Sequence, residues 1–266
     1  MEQALHAQIE SARAYESLMV PALFGQWASR VLDAARVRSG DRVLDVACGT
    51  GVLAREAAAR VGATGLVAGI DPGPGMLHVA KAVAPEVTWH EALAESLPVP
   101  AASYDAVVSQ FGLMFFRDRA AALREALRVL VPGGRLAFAV WDRVENTPAY
   151  AEEIALLERV AGSRAADAVR APFALGEPSA LDTLFREAGV AAPEVTTHAG
   201  TARFPSVRLM VEADLRGWLP VLGVVLSEEE IAVILEEAEI VLDRYVTRDG
   251  TVAFHTSAHI VTGRKA

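Results

Sequence analysis

The chain has 266 residues, enough for one large domain or for one domain carrying a smaller cap. Hydrophobic residues make up 52% of it, which excludes global disorder, and a net charge of −9 sets its surface against phosphate backbones and therefore against nucleic acid. Basic residues are scattered, the one cysteine (Cys48) excludes an intrachain disulfide and a cysteine-cluster metal site, and no uncharged apolar run approaches the ~20 residues of a membrane helix.

Glu2 to Arg36 reads as helix, with Tyr15, Leu18, Met19, Leu23 and Trp27 at three- and four-residue spacing. Pro21 predicts a break into two helices. The first ten residues carry acids and polar groups where a signal peptide has a basic start and an apolar run, so the expected location is the cytoplasm. Ser39-Gly40-Asp41 marks a turn. Short β-branched runs then alternate with helical segments. Arg42–Ala47, Gly65–Ile70, Val87–His90, Tyr104–Gln110 and Arg135–Trp141 read as strands. Gly51–Val61, Gly75–Val83 and Arg119–Val131 read as helices, the last stopping at Pro132-Gly133-Gly134. That alternation implies parallel βαβ units and a doubly wound α/β sheet.

After Trp141 the pattern changes. Thr147–Ala161 reads as helix, Ala166–Pro178 as loop, Ser179–Ala188 as helix and Glu194–Ala202 as strand. Val207–Trp218 and Ser227–Val246 read as helices, the second opening on Ser227 as N-cap with three glutamates in its first turn. Asp249-Gly250 is a turn and Thr251–Gly263 a closing strand. The domain reading is a helical cap over 1–40, a cofactor-binding core over 41–145, and a helical lid with the C-terminal part of the sheet over 146–266, forming one structural domain with a lid.

The chemistry concentrates first in Asp45-Val46-Ala47-Cys48-Gly49-Thr50-Gly51. A strand runs into a turn of small residues and a helix begins at once. Small residues let a ligand approach the backbone, and the helix start offers free N–H groups. An ordinary strand–turn–helix bend would look similar. Gly49 to Ala54 also fits the loose G-x-G-x-x-A form of the dinucleotide fingerprint, so spacing alone leaves a nicotinamide cofactor open. Asp45, just before the turn, repels phosphate and attracts an amine, which favours a cationic ligand. Asp71, at the end of the second strand, is placed either to accept both hydroxyls of a ribose or to cap the helix that follows Pro72 and Gly75.

Asp45–Gly51 resembles the glycine-rich loop of the class I, Rossmann-like S-adenosylmethionine-dependent methyltransferases. Gly69-Ile70-Asp71-Pro72 with Met76, Ala94-Glu95-Ser96-Leu97-Pro98 with Ser103–Val107, and Arg128–Gly134 resemble the motifs that follow, in order, across roughly a third to a half of the chain. Within that family the chain is most similar to the ubiquinone/menaquinone-biosynthesis-like (methyltransferase type 11) group. The resemblance implies a mostly parallel seven-stranded sheet, with the last strand antiparallel. It implies a lid formed by Glu2–Arg36, Thr147–Pro178 and Val207–Val246 over its carboxyl edge. It also implies S-adenosylmethionine as cofactor and S-adenosylhomocysteine as product. Asp45 would hold the methionine amino group. Ala47, Cys48, Gly49, Thr50 and Gly51 would form the loop that admits the cofactor. Asp71 would bind the ribose hydroxyls, Pro72 and Met76 would flank the adenine, and Ala94 with Glu95 would meet its edge. Gln110 would face the methionine carboxylate or the methyl group. Two positions depart from the pattern: the first loop glycine is Ala47, and the aspartate often found before Ala94 is Leu93, so adenine recognition would rest on backbone groups and packing or on a shifted contact such as Glu91.

A sulfonium-bound methyl group is already activated, so the protein mainly has to align an acceptor and exclude water. Tyr15 can cap the sulfonium with its ring or simply pack in its helix. Trp27 reads as core before it reads as lid. Phe111, Met114, Phe115 and Phe116 follow the fourth strand, with Phe111 and Phe115 expected to touch cofactor or acceptor. His255 and His259 share a face of the closing strand. Either a structural role or, for His255, a general-base role is open, the structural one favoured. The expected function is methyl transfer to a small, largely apolar acceptor, without metal, nucleic acid or membrane, and with a homodimer as a possible assembly. The alternative is a non-catalytic protein that binds S-adenosylmethionine or S-adenosylhomocysteine.

Overall fold

The computed structural model describes residues 2–266, with side chains from residue 4 onward. One seven-stranded sheet runs in the order β3-β2-β1-β4-β5-β7-β6. Its strands are β1 (Arg42–Val46), β2 (Leu66–Asp71), β3 (Thr88–Glu91), β4 (Tyr104–Gln110), β5 (Leu130–Trp141), β6 (Ala191–Phe204) and β7 (Val252–Arg264). β1 pairs in parallel with β2 and β4, β2 with β3, and β4 with β5. β7 alone runs antiparallel, between β5 and β6. The strand order reverses between β1 and β4, so the two halves of the sheet open a crevice at their carboxyl ends, where ligands bind in such sheets.

The central strands are near-continuous apolar runs because helices cover both faces. The helices are α1 (Glu2–Ala14), α2 (Gly25–Ala34), α3 (Val52–Val61), α4 (Pro74–Val83), α5 (Arg119–Val129), α6 (Pro148–Ala161), α7 (Ser163–Arg170), α8 (Pro178–Glu187), α9 (Val207–Ala213), the short α10 (Leu219–Val221) and α11 (Glu228–Val241). α2 buries Trp27, Val31 and Leu32 completely against the sheet, and each such side chain contributes about 1.5–3 kcal/mol of transfer free energy. α11 opens with a capping box: Ser227 accepts from the Glu230 N–H while the Glu230 carboxylate accepts from the Ser227 N–H. Among the described residues no helix is long and apolar enough to cross a membrane.

Four local expectations are corrected. Pro21 does not divide the N-terminal helix. The chain passes through a π-helical segment, Tyr15–Phe24, that carries Pro21 inside it and joins α1 to α2. In this wider winding the hydrogen-bond partner is one residue farther back, as Gly25 N–H to Val20 O shows, and the ladder tolerates the residue without an N–H. The segment read as loop over 166–178 is largely helix: α7 covers Ser163–Arg170 and a 3-10 turn covers Ala171–Phe173. Alanines 165, 166 and 168 with Val169 form its buried side, and the prolines and glycine that suggested a loop sit after it. Pro132-Gly133-Gly134 does not precede the fifth strand but lies within β5, where the pairing with β4 shifts register between Tyr104 and Ala106 and Gly133 takes φ +72°. The stretch read as one helix over 207–218 changes winding at Asp214 and continues as a π-helical segment, Asp214–Trp218.

Candidate functional site

A large cavity of about 1530 Å³ lies over the carboxyl ends of the parallel strands. Its floor comes from the ends of β1, β2 and β4. Its walls come from α1, the Tyr15–Phe24 segment, α6, α7, α9 and the Asp214–Trp218 segment. α1 closes directly on α4, where a Cβ on Gly75 would stand 2.5 Å from the Gln8 carbonyl oxygen, so only glycine allows this approach. Arg55 of α3 donates to Glu16 of the Tyr15–Phe24 segment at 2.7 Å and to the Thr50 carbonyl at 3.0 Å.

The loop after β1 shows why its residues are small. Ala47 sits at φ +59° and Gly49 at φ +54°. A left-handed alanine costs energy that glycine does not, and such outliers are held where the surrounding structure fixes them. Phe111, leaving β4, is a second such residue at φ +58°. A Cβ on Gly49 would meet nothing within 4 Å, so the backbone there lies open to the cavity. Gly51 has another purpose. It sits at φ +88° as N-cap of α3, and a Cβ there would stand 2.4 Å from the Trp89 ring. Thr50 and Gly51 therefore shape the loop from behind and do not line the cavity, whereas Ala47, Cys48 and Gly49 do.

Asp45 is 1% exposed and lines the cavity; the Ala54 backbone N–H is turned toward its carboxylate, and among the described residues no side chain pairs with either oxygen. Burial pushes its carboxyl well above the usual range. Asp71 is held differently: one oxygen accepts from Gly49 N–H at 2.9 Å and the other from Gly73 N–H at 2.8 Å. Burial raises its pKa and those two donors oppose the rise. Each oxygen keeps an acceptor site free, so the carboxylate fixes the loop and still faces the cavity with two lone pairs. Tyr15 lies near both, and burial followed by Glu16, Asp71 and Asp45 pushes its phenol up, so it stays a protonated donor. This end of the cavity is thus lined by two carboxylates, Asp45 and Asp71, while Glu16, off the lining, is paired with Arg55. Gln110 donates to the Phe24 carbonyl at 3.1 Å and leaves its own side-chain oxygen without a partner.

Pro72, Met76, Ala94, Glu95, Phe111 and Phe115 all line the cavity. Glu95 is committed as well to the backbone, accepting from the N–H groups of Arg117 and Asp118. Leu93, 46% exposed, stands at the cavity wall, and Glu91 does not line it. Trp27 is buried core, not cavity wall. The histidines are not part of the site. His255 is exposed and does not line the cavity, because the two-residue period of β7 turns its neighbour Thr256 inward instead. His259 is buried and tied to Thr197 Oγ1 at 2.9 Å, Asp142 Oδ1 at 3.0 Å and the Gly176 carbonyl at 3.2 Å, a structural set of partners.

Sequence reading missed the far half of the cavity. Trp141, ending β5, stacks on Phe111 with ring centres 3.8 Å apart, and the aromatic wall continues through Phe173 to Tyr150. Beyond Tyr150 stand Asp214, lining the cavity, and Glu153 behind it. Both acids occupy apolar-face positions: Asp214 follows Val207, Met210 and Val211 at helical spacing, and Glu153 lies between Tyr150 and Ile154. An acid on a buried helix face is the signal that was available.

Comparison with known proteins follows this geometry. Residues 43–134 match a family model described as a methyltransferase domain. The chain is similar to the ubiquinone/menaquinone biosynthesis C-methyltransferase UbiE of Pseudomonas putida, 40% identical over 126 residues that cover 45% of this chain and 49% of that protein. It is likewise similar to UbiE of Ectopseudomonas mendocina, 44% identical over 116 residues covering 41% and 45%. The chain spans about half the length of the curated relatives it matches. Among solved structures it is similar to the YcgJ protein of Bacillus subtilis, with TM-score 0.58, 22% identity, and coverage of 90% of this chain and 98% of that one. It is also similar to phosphoethanolamine N-methyltransferase 2 of Haemonchus contortus, crystallised with S-adenosyl-L-methionine, with TM-score 0.60, 17% identity, and coverage of 96% and 57%. These structures share the fold.

Proposed function

We propose that this chain, which carries a methyltransferase domain over residues 43–134, transfers a methyl group from S-adenosylmethionine to a small, largely apolar molecule. The observation that carries the reading is Asp45, a buried carboxylate on the cavity wall that no cationic side chain pairs with. Buried charges are paired in folded proteins, so Asp45 calls for a cation from a ligand. The methionine amino group of the cofactor is such a cation, and the residues present fit the rest of it. Asp71 has acceptor sites for the two ribose hydroxyls, the open backbone at Gly49 admits close approach, and Pro72, Met76 and Ala94 offer an apolar wall to the adenine.

When bound, the cofactor supplies a methyl group already activated by its sulfonium. The protein's own part is placement. Tyr15, kept protonated by burial and then by the charges of Glu16, Asp71 and Asp45, presents its ring and hydroxyl at the donor end of the cavity. Phe111 and Trp141 wall the space beside Gln110 and keep water out. The cavity of about 1530 Å³ exceeds the roughly 300–1,000 Å³ of a single-ligand pocket, which leaves room for an acceptor beside the cofactor. A protein that only bound the cofactor would have no use for that room. UbiE relatives are named C-methyltransferases, so carbon is one acceptor atom to try. The surface charge of −9 supports a small-molecule acceptor over nucleic acid, and the proposed location is cytoplasmic.

The test is calorimetry with S-adenosylhomocysteine, followed by turnover of S-adenosylmethionine against a panel of aromatic and quinone-like acceptors. Asp71→Ala is expected to weaken cofactor binding by about 1–3 kcal/mol. Unchanged affinity in that variant, or tighter binding of NAD than of S-adenosylhomocysteine, refutes the site assignment.

A further inference from the structure

The half of the cavity beyond Trp141 is walled by aromatic rings, yet it ends on buried polar groups that the methyl-transfer reading does not use. Phe173 stands 6.4 Å from Trp141 and 5.8 Å from Tyr150, centre to centre, so these rings form a continuous wall leading away from the donor end. Tyr150 packs edge-on against Phe254 of β7, and Phe254 shares its face of the strand with Thr256. The end of this passage is formed by Tyr150, Thr147, Thr256 and Asp214, all of which line the cavity.

No cationic group meets the polar atoms there. Asp214 is 5% exposed and Glu153 fully buried; the two carboxyls share a hydrogen bond, and no other protein donor reaches Asp214 Oδ2 or the oxygens of Glu153. The Thr147 and Thr256 hydroxyls are buried and unpartnered. Among the described residues no cationic side chain pairs with either acid. The nearest arginine along the chain, Arg216, is taken up by Glu212 at 2.8 Å and by Glu228 at 2.7 Å, and Glu212 faces it. The ionisable groups that face Asp214 from α6 are Glu153 and Tyr150, neither of which can supply a positive charge. Burial raises the pKa of both acids, and the charge of Asp214 raises Glu153 further. Glu153 holds its proton the more tightly, because burial and the charge of Asp214 act on it together, which leaves Asp214, the acid that borders the cavity, as the one to meet a cation. Asp214 opens a π-helical segment, a winding found frequently at functional sites.

We propose that the methyl acceptor is an amphiphilic amine whose apolar body lies along Trp141, Phe173 and Tyr150 and whose ammonium group is bound by Asp214. The inference rests on the methyl-transfer reading for its substrate but has its own site, remote from Asp45 and Asp71. An ammonium at this place offsets the buried charge, and its donors reach Asp214 Oδ2 and the Thr147 and Thr256 hydroxyl oxygens. The faces of Tyr150 and Phe173 add attraction for the same cation. The amine is a handle that sets which atom of the apolar body reaches the donor end.

The experiment compares two probes of one shape, 4-phenylbutylamine and 4-phenyl-1-butanol. Their binding to the wild-type protein saturated with S-adenosylhomocysteine is measured by calorimetry at neutral pH. The amine is expected to bind about 10- to 100-fold more tightly, the scale of one charge-assisted hydrogen bond. In Asp214→Asn the preference is expected to collapse while S-adenosylhomocysteine binds as in wild type, which also shows that the variant is folded. Equal binding of the probes, preference for the alcohol, no binding of the amine, or a preference retained in Asp214→Asn overturns the proposal. The wild-type comparison decides by itself if the variant does not fold. Failure of the wild-type protein to bind S-adenosylhomocysteine overturns the methyl-transfer reading instead.

Discussion

Replacing Asp45 by Asn tests both the electrostatics of the site and its use. Without cofactor, Asp45 is a buried carboxylate with no cationic partner, which destabilises the fold. Removing its charge is expected to relieve about 1–3 kcal/mol, the scale of an unsatisfied buried polar group. In a chain of 266 residues that corresponds to a rise in Tm of roughly 2–10 °C. The sign follows from linkage. The folded pKa of Asp45 lies above its unfolded value of ~3.9, so the native state holds this proton more tightly. Wild-type stability is therefore lost as pH rises from that value through the raised folded pKa. Asp45→Asn does not share this loss, so its advantage should be near zero at about pH 4 and grow toward neutrality. Binding moves the other way. Losing a charged hydrogen bond to an amino group costs about 1.5–3 kcal/mol, or roughly a 10- to 150-fold weaker affinity for S-adenosylhomocysteine. Thermal scans from pH 4 to 8, with and without S-adenosylhomocysteine, read both effects. A lower Tm for the free variant at neutral pH, or an undiminished ligand-induced shift, would refute the reasoning.

Three further outcomes are expected. Gly69→Ala places a Cβ 2.3 Å from the Trp89 ring and 2.9 Å from the Cys48 sulfur, and should cost about 1–3 kcal/mol by chemical denaturation, recovered in part by adding Trp89→Leu. Arg55→Ala removes the tie from α3 to Glu16 and to the Thr50 carbonyl, so limited proteolysis should cut the first 24 residues faster while the sheet core survives; an unchanged cleavage rate counts against the lid being held there. His255→Ala should leave kcat and its pH profile unchanged, because the side chain is exposed and off the cavity; a lost acidic limb in that profile would restore it as a base.

Much of this protein was legible along the chain. The alternation of strand and helix from Arg42 to Trp141 is local patterning, and it is enough to specify the parallel units, the reversal of strand order and the loop at Asp45–Gly51 that lies there. That Asp45 and Asp71 reach the carboxyl edge of the sheet was readable because one lies next to the end of its strand and the other ends its own. Gly49 and Gly51 look alike in sequence, and only packing separates them: one is open to the cavity and the other makes room for Trp89. Pro21 and the segment over 166–178 were misread because local breaker signals cannot report a π-helical winding or a helix held by its buried alanines. The histidines required β7 to be placed between β5 and β6 before inward could be told from outward. The far end of the cavity needed the most from tertiary structure. Tyr150, Glu153, Asp214 and Thr256 come from three distant parts of the chain, and only folding brings them together. Sequence determines which local conformations and charges exist. Which of those charges end up buried without a partner is set by contacts between distant segments, and that property marks the site.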